Sequence, residues 1–404
     1  MSQSLLINPT AFEAGLEAAF ASRVQANAVQ RDAFSAFVKT GLPHKRMEGW
    51  RWTDFRDASQ RAVPAELSNK KASNPFAPLE ALEIKMTDDG FVVDQTEPGV
   101  SIKTGPAGGN FDHVADHPVG LLNRAMSETA LIIEVEAGVK VARPILIRDL
   151  REQSSSFAQF ELTLGAGAHA TLLQSFEGAS SFRSVLGRFA LASESLLENF
   201  ILSDSDGVSH SLNLVRSGEK SSYKSVSLSL GARLSRIETD QTFEGTGAHS
   251  TINSAALLSD DAHADFTTLV RHDAPDCVTR QAHKSVVRDQ GHAVFQGKFL
   301  VNKPAQKTDA NMQANAMLLS DRAQASHKPE LEIYADDVEC AHGSTTGSLD
   351  ENALFYMRQR GLSENAARAL LIEAFVAEAI DAIEDPRIVQ IFKGRIQQWL
   401  GEVA

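Results

Sequence analysis

Four phrases between residues 248 and 295 decide the fold: Ala248-His249-Ser250-Thr251-Ile252, Ala262-His263-Ala264-Asp265-Phe266, Ala282-His283-Lys284-Ser285-Val286 and Gly291-His292-Ala293-Val294-Phe295. An earlier copy, Ala168-His169-Ala170-Thr171-Leu172, stands upstream. Each sets a small residue, a histidine, two further residues and then an apolar one. The histidines are 80, 14, 20 and 9 positions apart, so no strict repeat period exists. The phrases nevertheless belong to one long span, about 130 to 325, in which almost nothing has helical period.

That span is built from short runs such as Ala130 to Val135, Phe157 to Leu164, Thr171-Leu172-Leu173, Asn199 to Leu202 and Ser225 to Leu230, punctuated by Gly, Asp and Ser. A sandwich, a barrel or a solenoid would fit such a pattern. Roughly 200 residues of short similar strands favour an irregular β-helix, in which each rung buries its apolar face on the next. The histidines are expected at rung corners or on the surface, because nothing fixes their mutual distance.

Helices are expected on both sides. Phe12, Leu16, Phe20 and Val24 recur four apart, a second helix is expected around Ala33 to Val38, and Gly41 ends it. Trp50 and Trp52, beside a basic cluster, read as an aromatic anchor between this lead-in and the next layer. Residues 65 to 130 are mixed, with a short strand at Gly90 to Asp94. After Gly361, Ser363 caps a helix whose stripe is Ile372, Val376, Ala379, Ile380 and Ile383, and Pro386 starts another. Such a stripe is core or a face for a docking partner. The expected organisation is a helical region 1–60, a β core 61–345 that includes the mixed segment to about 130, and a helical region 346–404.

Between core and tail runs Lys328 to Gly361, KPELEIYADDVECAHGSTTGSLDENALFYMRQRG. Leu331 and Ile333 alternate with Glu332 and Tyr334 as in a strand that runs towards Cys340. Gly343 to Ser348 reads as a turn-rich break, and Asp350 as the cap of a helix ending at Gly361. Cys340 and His342 would then sit where a strand leaves its sheet, with their side chains on one face. They are either buried and satisfied, or two ligands of a soft metal site whose other ligands come from elsewhere in the fold or from another chain.

Composition narrows the function classes. With 404 residues the chain exceeds one compact core, and 39 basic against 52 acidic residues, a net charge of −13, argue against nucleic-acid binding. Two cysteines, Cys277 and Cys340, are too few for a disulfide framework and suit a reducing cytoplasm; Cys277 is expected to be buried. No basic start with an apolar run and no 18-residue apolar span predict export or a membrane.

Gly165-Ala166-Gly167-Ala168-His169-Ala170 matches a dinucleotide fingerprint, but a β-type run follows where a helix is required. Gly218-Glu219-Lys220-Ser221 lacks the glycine spacing of a phosphate loop. No nucleophile elbow or thiol-hydrolase signature occurs, so no catalytic residue is assigned.

Lys328-Pro329-Glu330-Leu331-Glu332-Ile333, Asp336 through Gly343 and Leu354 through Gly361, with Gly41-Leu42-Pro43 and Glu48-Gly49-Trp50-Arg51-Trp52-Thr53, resemble the SufB/SufD family of iron-sulfur cluster assembly proteins over nearly the entire chain. Where SufB carries a His-Glu pair, this chain has Cys340-Ala341-His342-Gly343, and it has fewer cysteines. The resemblance implies a right-handed parallel β-helix flanked by amino- and carboxy-terminal helical regions. It also implies a non-catalytic subunit of a cytosolic complex of one SufB, one SufD and two SufC ATPase subunits, which supports iron acquisition and nascent cluster assembly. SufC would dock on the carboxy-terminal helices and SufB on the last β-helix strands. His342, with Cys340 beside it, would offer a ligand to iron or a nascent iron-sulfur cluster, bound transiently and shared with SufB. Reduced flavin is implied for the complex, with no residue assigned. The isolated chain is a candidate homodimer through its exposed strand ends. The alternatives are a solitary β-helix enzyme acting on polysaccharide and a purely structural stabiliser of SufB.

Overall fold

The computed structural model describes residues 6, 8–23, 26–61, 73–107, 116–177 and 180–401. Among them are nineteen strands, from β1 (Leu82–Thr87) to β19 (Glu339–Gly347), and seven α-helices. Strands alternate between two stacks as the chain advances. Odd-numbered strands from β5 (Ile145–Asp149) to β19 form one sheet, continued by β1 and β2 (Gly90–Val93); the even ones form the other, from β4 (Thr129–Val135) to β18 (Gln324–Ile333), closed by β3 (Val100–Pro106). From β4 onward every pair within a stack is parallel, which makes this part of the chain a parallel β-solenoid, as expected.

The rungs vary in length, and this hides the repeat. Val208 pairs with Leu234, 26 residues on, whereas His263 pairs with His292, 29 residues on. What does recur is one corner. Gly138, Gly167, Glu194, Lys220, Gly247, Asp276 and Lys307 all have left-handed φ between 52° and 73°. The N–H of each donates to a carbonyl one rung on: Gly167 to Ser193 at 2.9 Å, Glu194 to Glu219 at 2.8 Å and Lys220 to Thr246 at 2.8 Å. Stacked corners therefore satisfy backbone donors that a lone turn would leave to water. Both discarded motifs belong to this column: Gly167 and Lys220 are its left-handed residues.

Between the stacks lies an apolar interior of Phe160, Phe189, Phe243, Phe266, Phe295 and Phe299 with aliphatic neighbours. Gly187 faces inward where an added Cβ would stand 2.6 Å from the Phe160 ring, so the aromatic occupies the room a side chain would need. His169, His249, His263 and His292 open their strands at corners, as expected. His283 departs from that pattern. It lies within β15 (Val278–Val287), buried and stacked 3.9 Å from Phe295, because its strand begins four residues before the phrase.

Helical layers cover the two outer faces. α1 (Ala11–Ala21), α2 (Ala28–Thr40), α3 (Phe55–Gln60) and α4 (Pro118–Met126) pack Phe34, Phe37, Phe55 and Leu122 on Phe182, Val208 and Leu234 of the even stack. Gly41 ends α2 with φ 65°. Val24 falls outside the described residues, and so do 62–72 and 108–115 of the mixed segment. On the odd stack, Ile372, Val376, Ala379 and Ile380 of α6 (Glu364–Ile380) and Ile388, Phe392 and Ile396 of α7 (Pro386–Gly401) pack against Ala255, Leu257 and Val286. The α6 stripe is thus core, and docking on it is excluded. Exposed apolar side chains stand elsewhere: Phe355 and Tyr356 of α5 (Glu351–Gln359), Leu362 and Leu370.

Candidate functional site

The solenoid ends in β18 and β19, the last strands of their sheets. Here the structure corrects the sequence reading. The strand carrying Leu331 stops at Ile333, and Cys340 and His342 begin a separate strand in the opposite stack. Gly343 to Gly347, expected as a turn, continue that strand, paired in register with β17 (Asp309–Leu318): Gln313 with Gly343, Ala314 with Ser344, Asn315 with Thr345. The formed neighbour supplies a template that overrides weak β propensity.

Register fixes which way the side chains face. Cys340, His342 and Ser344 align on Ala310, Met312 and Ala314, all buried in the interior, so they form its last inward column on this stack. On the facing stack, His327 aligns on buried Phe295 and Leu331 on Phe299. Cys340 is half-buried against the core, while His342 is exposed. Both sequence-expected residues therefore lie together at the uncovered mouth. Burial, and secondarily Asp309, raises the Cys340 thiol pKa. Both favour the neutral thiol.

His327 was missed by sequence reasoning. Its Nδ1 lies 2.8 Å from Ser344 Oγ, linking the two inward columns across the mouth. Burial lowers its pKa, which favours the neutral ring. Behind it, His283 Nδ1 meets Ser254 Oγ at 2.7 Å, and burial holds His283 at about 3. Cys277 is fully buried, as expected, with its thiol directed at the carbonyls of Gly245 and Pro275.

A second cluster lies under the amino-terminal helices. His117, His210 and Glu238 bring three donor atoms within 4.8 Å of one another, the one such set among the described residues. Its hydrogen bonding argues against a metal. Gly120 N–H donates to His117 Nδ1 at 2.9 Å, as an α4 cap, so the proton must be on Nε2, which reaches Glu238 Oε1 at 2.9 Å. Ligation through Nε2 would demand an imidazolate or the loss of that cap. His210 Nε2 lies 2.9 Å from the same oxygen, and Arg236 binds Oε2 at 2.9 Å. Burial opposes the Glu238 charge, but Arg236 and His117 hold its pKa well below the usual range. The Arg236 guanidinium stacks 3.9 Å from the Trp50 ring and bonds Asp265, which also accepts from Thr53. The aromatic anchor is thus Trp50, clamped to the even stack by a buried charge network.

Residues 147–375, more than half of the chain, match the family described as SUF system FeS cluster assembly, SufBD core domain. The chain belongs to the SufB/SufD family of iron-sulfur cluster assembly proteins. Within it, the chain groups with SufD. The iron-sulfur cluster assembly protein SufD of Escherichia coli K12 is 29% identical over 388 residues, 90% of each chain. A SufBD family protein of Synechocystis is 26% identical over 88% of this chain and 86% of its own. The chloroplastic protein ABCI7 of Arabidopsis thaliana is 24% identical over 93% of this chain and 86% of its own. No helix among the described residues is long and apolar enough to cross a membrane.

Proposed function

We propose that this chain is a non-catalytic SufD-like subunit that pairs end to end with a SufB-like subunit through β18 and β19. At that boundary it supports iron acquisition and nascent cluster assembly, with His342 and Cys340 as this chain's ligands. The observation that carries the reading is the uncovered inward column of Cys340, His342 and Ser344 on a strand exposed along nearly all its length. The open edge of a terminal strand is a template for another chain, and an incomplete donor set at its mouth suits a shared site. Iron and sulfide are cargo in this scheme, held transiently.

A SufC-like ATPase docks on the carboxy-terminal helices, where Phe355, Tyr356, Leu362 and Leu370 are exposed. The polysaccharide-enzyme alternative gains nothing from the fold, since helical layers pack on both outer faces. The test is iron and sulfide content of the complex co-purified with SufB-like and SufC-like subunits. His342→Ala should lower both several-fold with subunit stoichiometry intact. Unchanged content would remove His342 from the site, and unchanged content in a variant that also carries Cys340→Ser would leave only the structural-stabiliser reading.

A further inference from the structure

We infer that the segment from His44 to Thr53 is an acid-released strap on the even stack, which stays down only while His263 and His292 beneath it are uncharged. It touches four successive strands of that stack. A one-turn 3₁₀ helix, Glu48–Trp50, presents the Gly49 carbonyl to Arg236 of β12 (Leu234–Phe243) at 3.1 Å and to Gln296 of β16 (His292–Val301) at 3.2 Å. Thr53 bonds His263 and Asp265 of β14 (His263–His272), and Glu48 pairs with Lys328 of β18 at 3.4 Å. The strap therefore reaches the strand whose outer edge is open.

His263 and His292 share one register position on adjacent rungs, with their rings 4.9 Å apart and edge to face. Thr53 gives its hydroxyl proton to Asp265, so His263 Nε2 donates to that hydroxyl at 3.2 Å and a further proton has to go to Nδ1. His292 Nε2 lies 3.0 Å from Ser326 Oγ of β18. Lys45 of the strap bears on both rings, and Arg236 of β12 bears on His263. Asp265, beyond Thr53, is engaged by Arg236, and on β18 Lys328 is paired with Glu48 and Glu330. Among the described residues neither ring hydrogen-bonds a carboxylate. Burial, reinforced by these cations, lowers His292 to about 4 and His263 to about 3. Once the strap lifts, both rings meet water and titrate near 6.5. The closed strap is thus fully stable above about pH 6.5 and weakens as pH falls towards 4, each ring favouring opening by up to about tenfold per pH unit.

Hydrogen exchange of the full-length chain alone reads the strap through the amides of Met47, Trp50 and Thr53, which bond the carbonyls of His44, Met47 and Trp50. After correction for the intrinsic pH dependence of amide exchange, their opening constant should rise about 70-fold from pH 7 to pH 5.5, as two rings titrating near 6.5 require. At both pH values they should exchange faster than the amides of α6, because the strap opens without the rest of the fold. His263→Gln and His292→Gln each keep a donor for Thr53 and Ser326; either should cut the rise to about eightfold, and the two together should abolish it. His272→Gln, at the far end of β14, should leave it unchanged. A wild-type opening constant that does not respond to pH overturns the inference without recourse to any variant. Strap amides that exchange only at the rate of α6, or a double variant that keeps the rise, overturn it as well.

Discussion

Arg236→Ala should undock the amino-terminal layer. Arg236 bonds Asp265 at 2.6 Å, Glu238 at 2.9 Å and the Gly49 carbonyl at 3.1 Å, with side-chain exposures of 3% for the arginine, 7% for Glu238 and 0% for Asp265. Removing it leaves two buried carboxylates without their cation, and breaking one buried pair in this way costs about 3–5 kcal/mol. Loss of stacking on Trp50 adds up to about 2 kcal/mol, but the same contact serves both terms. A total near 5 kcal/mol is expected, or about 1.7 M in urea midpoint if the layer unfolds with a slope near 3 kcal/mol/M. Trp50 and Trp52 make up two of the three tryptophans, so fluorescence-detected urea unfolding reports on this layer. The combination Arg236→Met, Glu238→Gln, Asp265→Asn removes the orphaned charges and should recover most of the loss. A shift under about 1 kcal/mol for Arg236→Ala, or a triple variant no better than the single, would refute the clamp.

Acidification should loosen the fold well above the carboxylate range. Burial lowers His210, His272 and His292 to about 4 and His263 and His283 to about 3, so these rings are neutral when folded. The unfolded chain protonates them near 6.5, so each costs up to about 1.4 kcal/mol per pH unit as pH falls from 6.5 towards 4. Urea midpoints measured from pH 7 to pH 5 should decline steadily; a flat profile would contradict this. Phe355→Ser with Tyr356→Ser removes side chains that are 64% and 59% exposed, so the thermal midpoint should hold. Affinity for a SufC-like ATPase, read by calorimetry, should fall about tenfold or more, since buried aromatic anchors dominate such interfaces. Undiminished affinity would move the docking surface elsewhere.

Much of the architecture was legible because burial imposes a period on each strand and stripe. The β-rich span, the capped α5 and α6, and the Pro386 start of α7 all follow from local chemistry. The repeat was not legible, because its invariant is a backbone conformation rather than a residue type. The corner position is filled by Gly, Glu, Lys or Asp, and only φ unites Gly138, Glu194, Lys220 and Asp276. The histidine phrase marked true corners four times and failed at His283, where the same letters fall inside a strand. Strand β19 was invisible for a related reason: Gly343, Ser344, Thr345, Thr346 and Gly347 have turn composition and take strand form from β17 alongside.

Cys340 and His342 were legible as a pair because two-residue spacing in extended chain needs no tertiary knowledge. His327 and the cluster of His117, His210 and Glu238 were not, since the latter spans separations of 121 and 28 residues that only the fold closes. The open end also bears on why those polar residues are there. A solenoid terminus facing water needs polar residues simply for solubility, and His327, His342 and Ser344 would serve that need where Phe295, Met312 and Ala314 fill the preceding turn. A solubilising cap would extend that polarity to the rim. Here the surroundings are mixed: Ile333, 39% exposed, and Tyr334, 61% exposed, stand beside the mouth among exposed Glu332, Asp336, Asp337 and Glu339. Exposed apolar side chains interleaved with acidic ones fit a surface that a second chain covers in part, with the charges left at its edge.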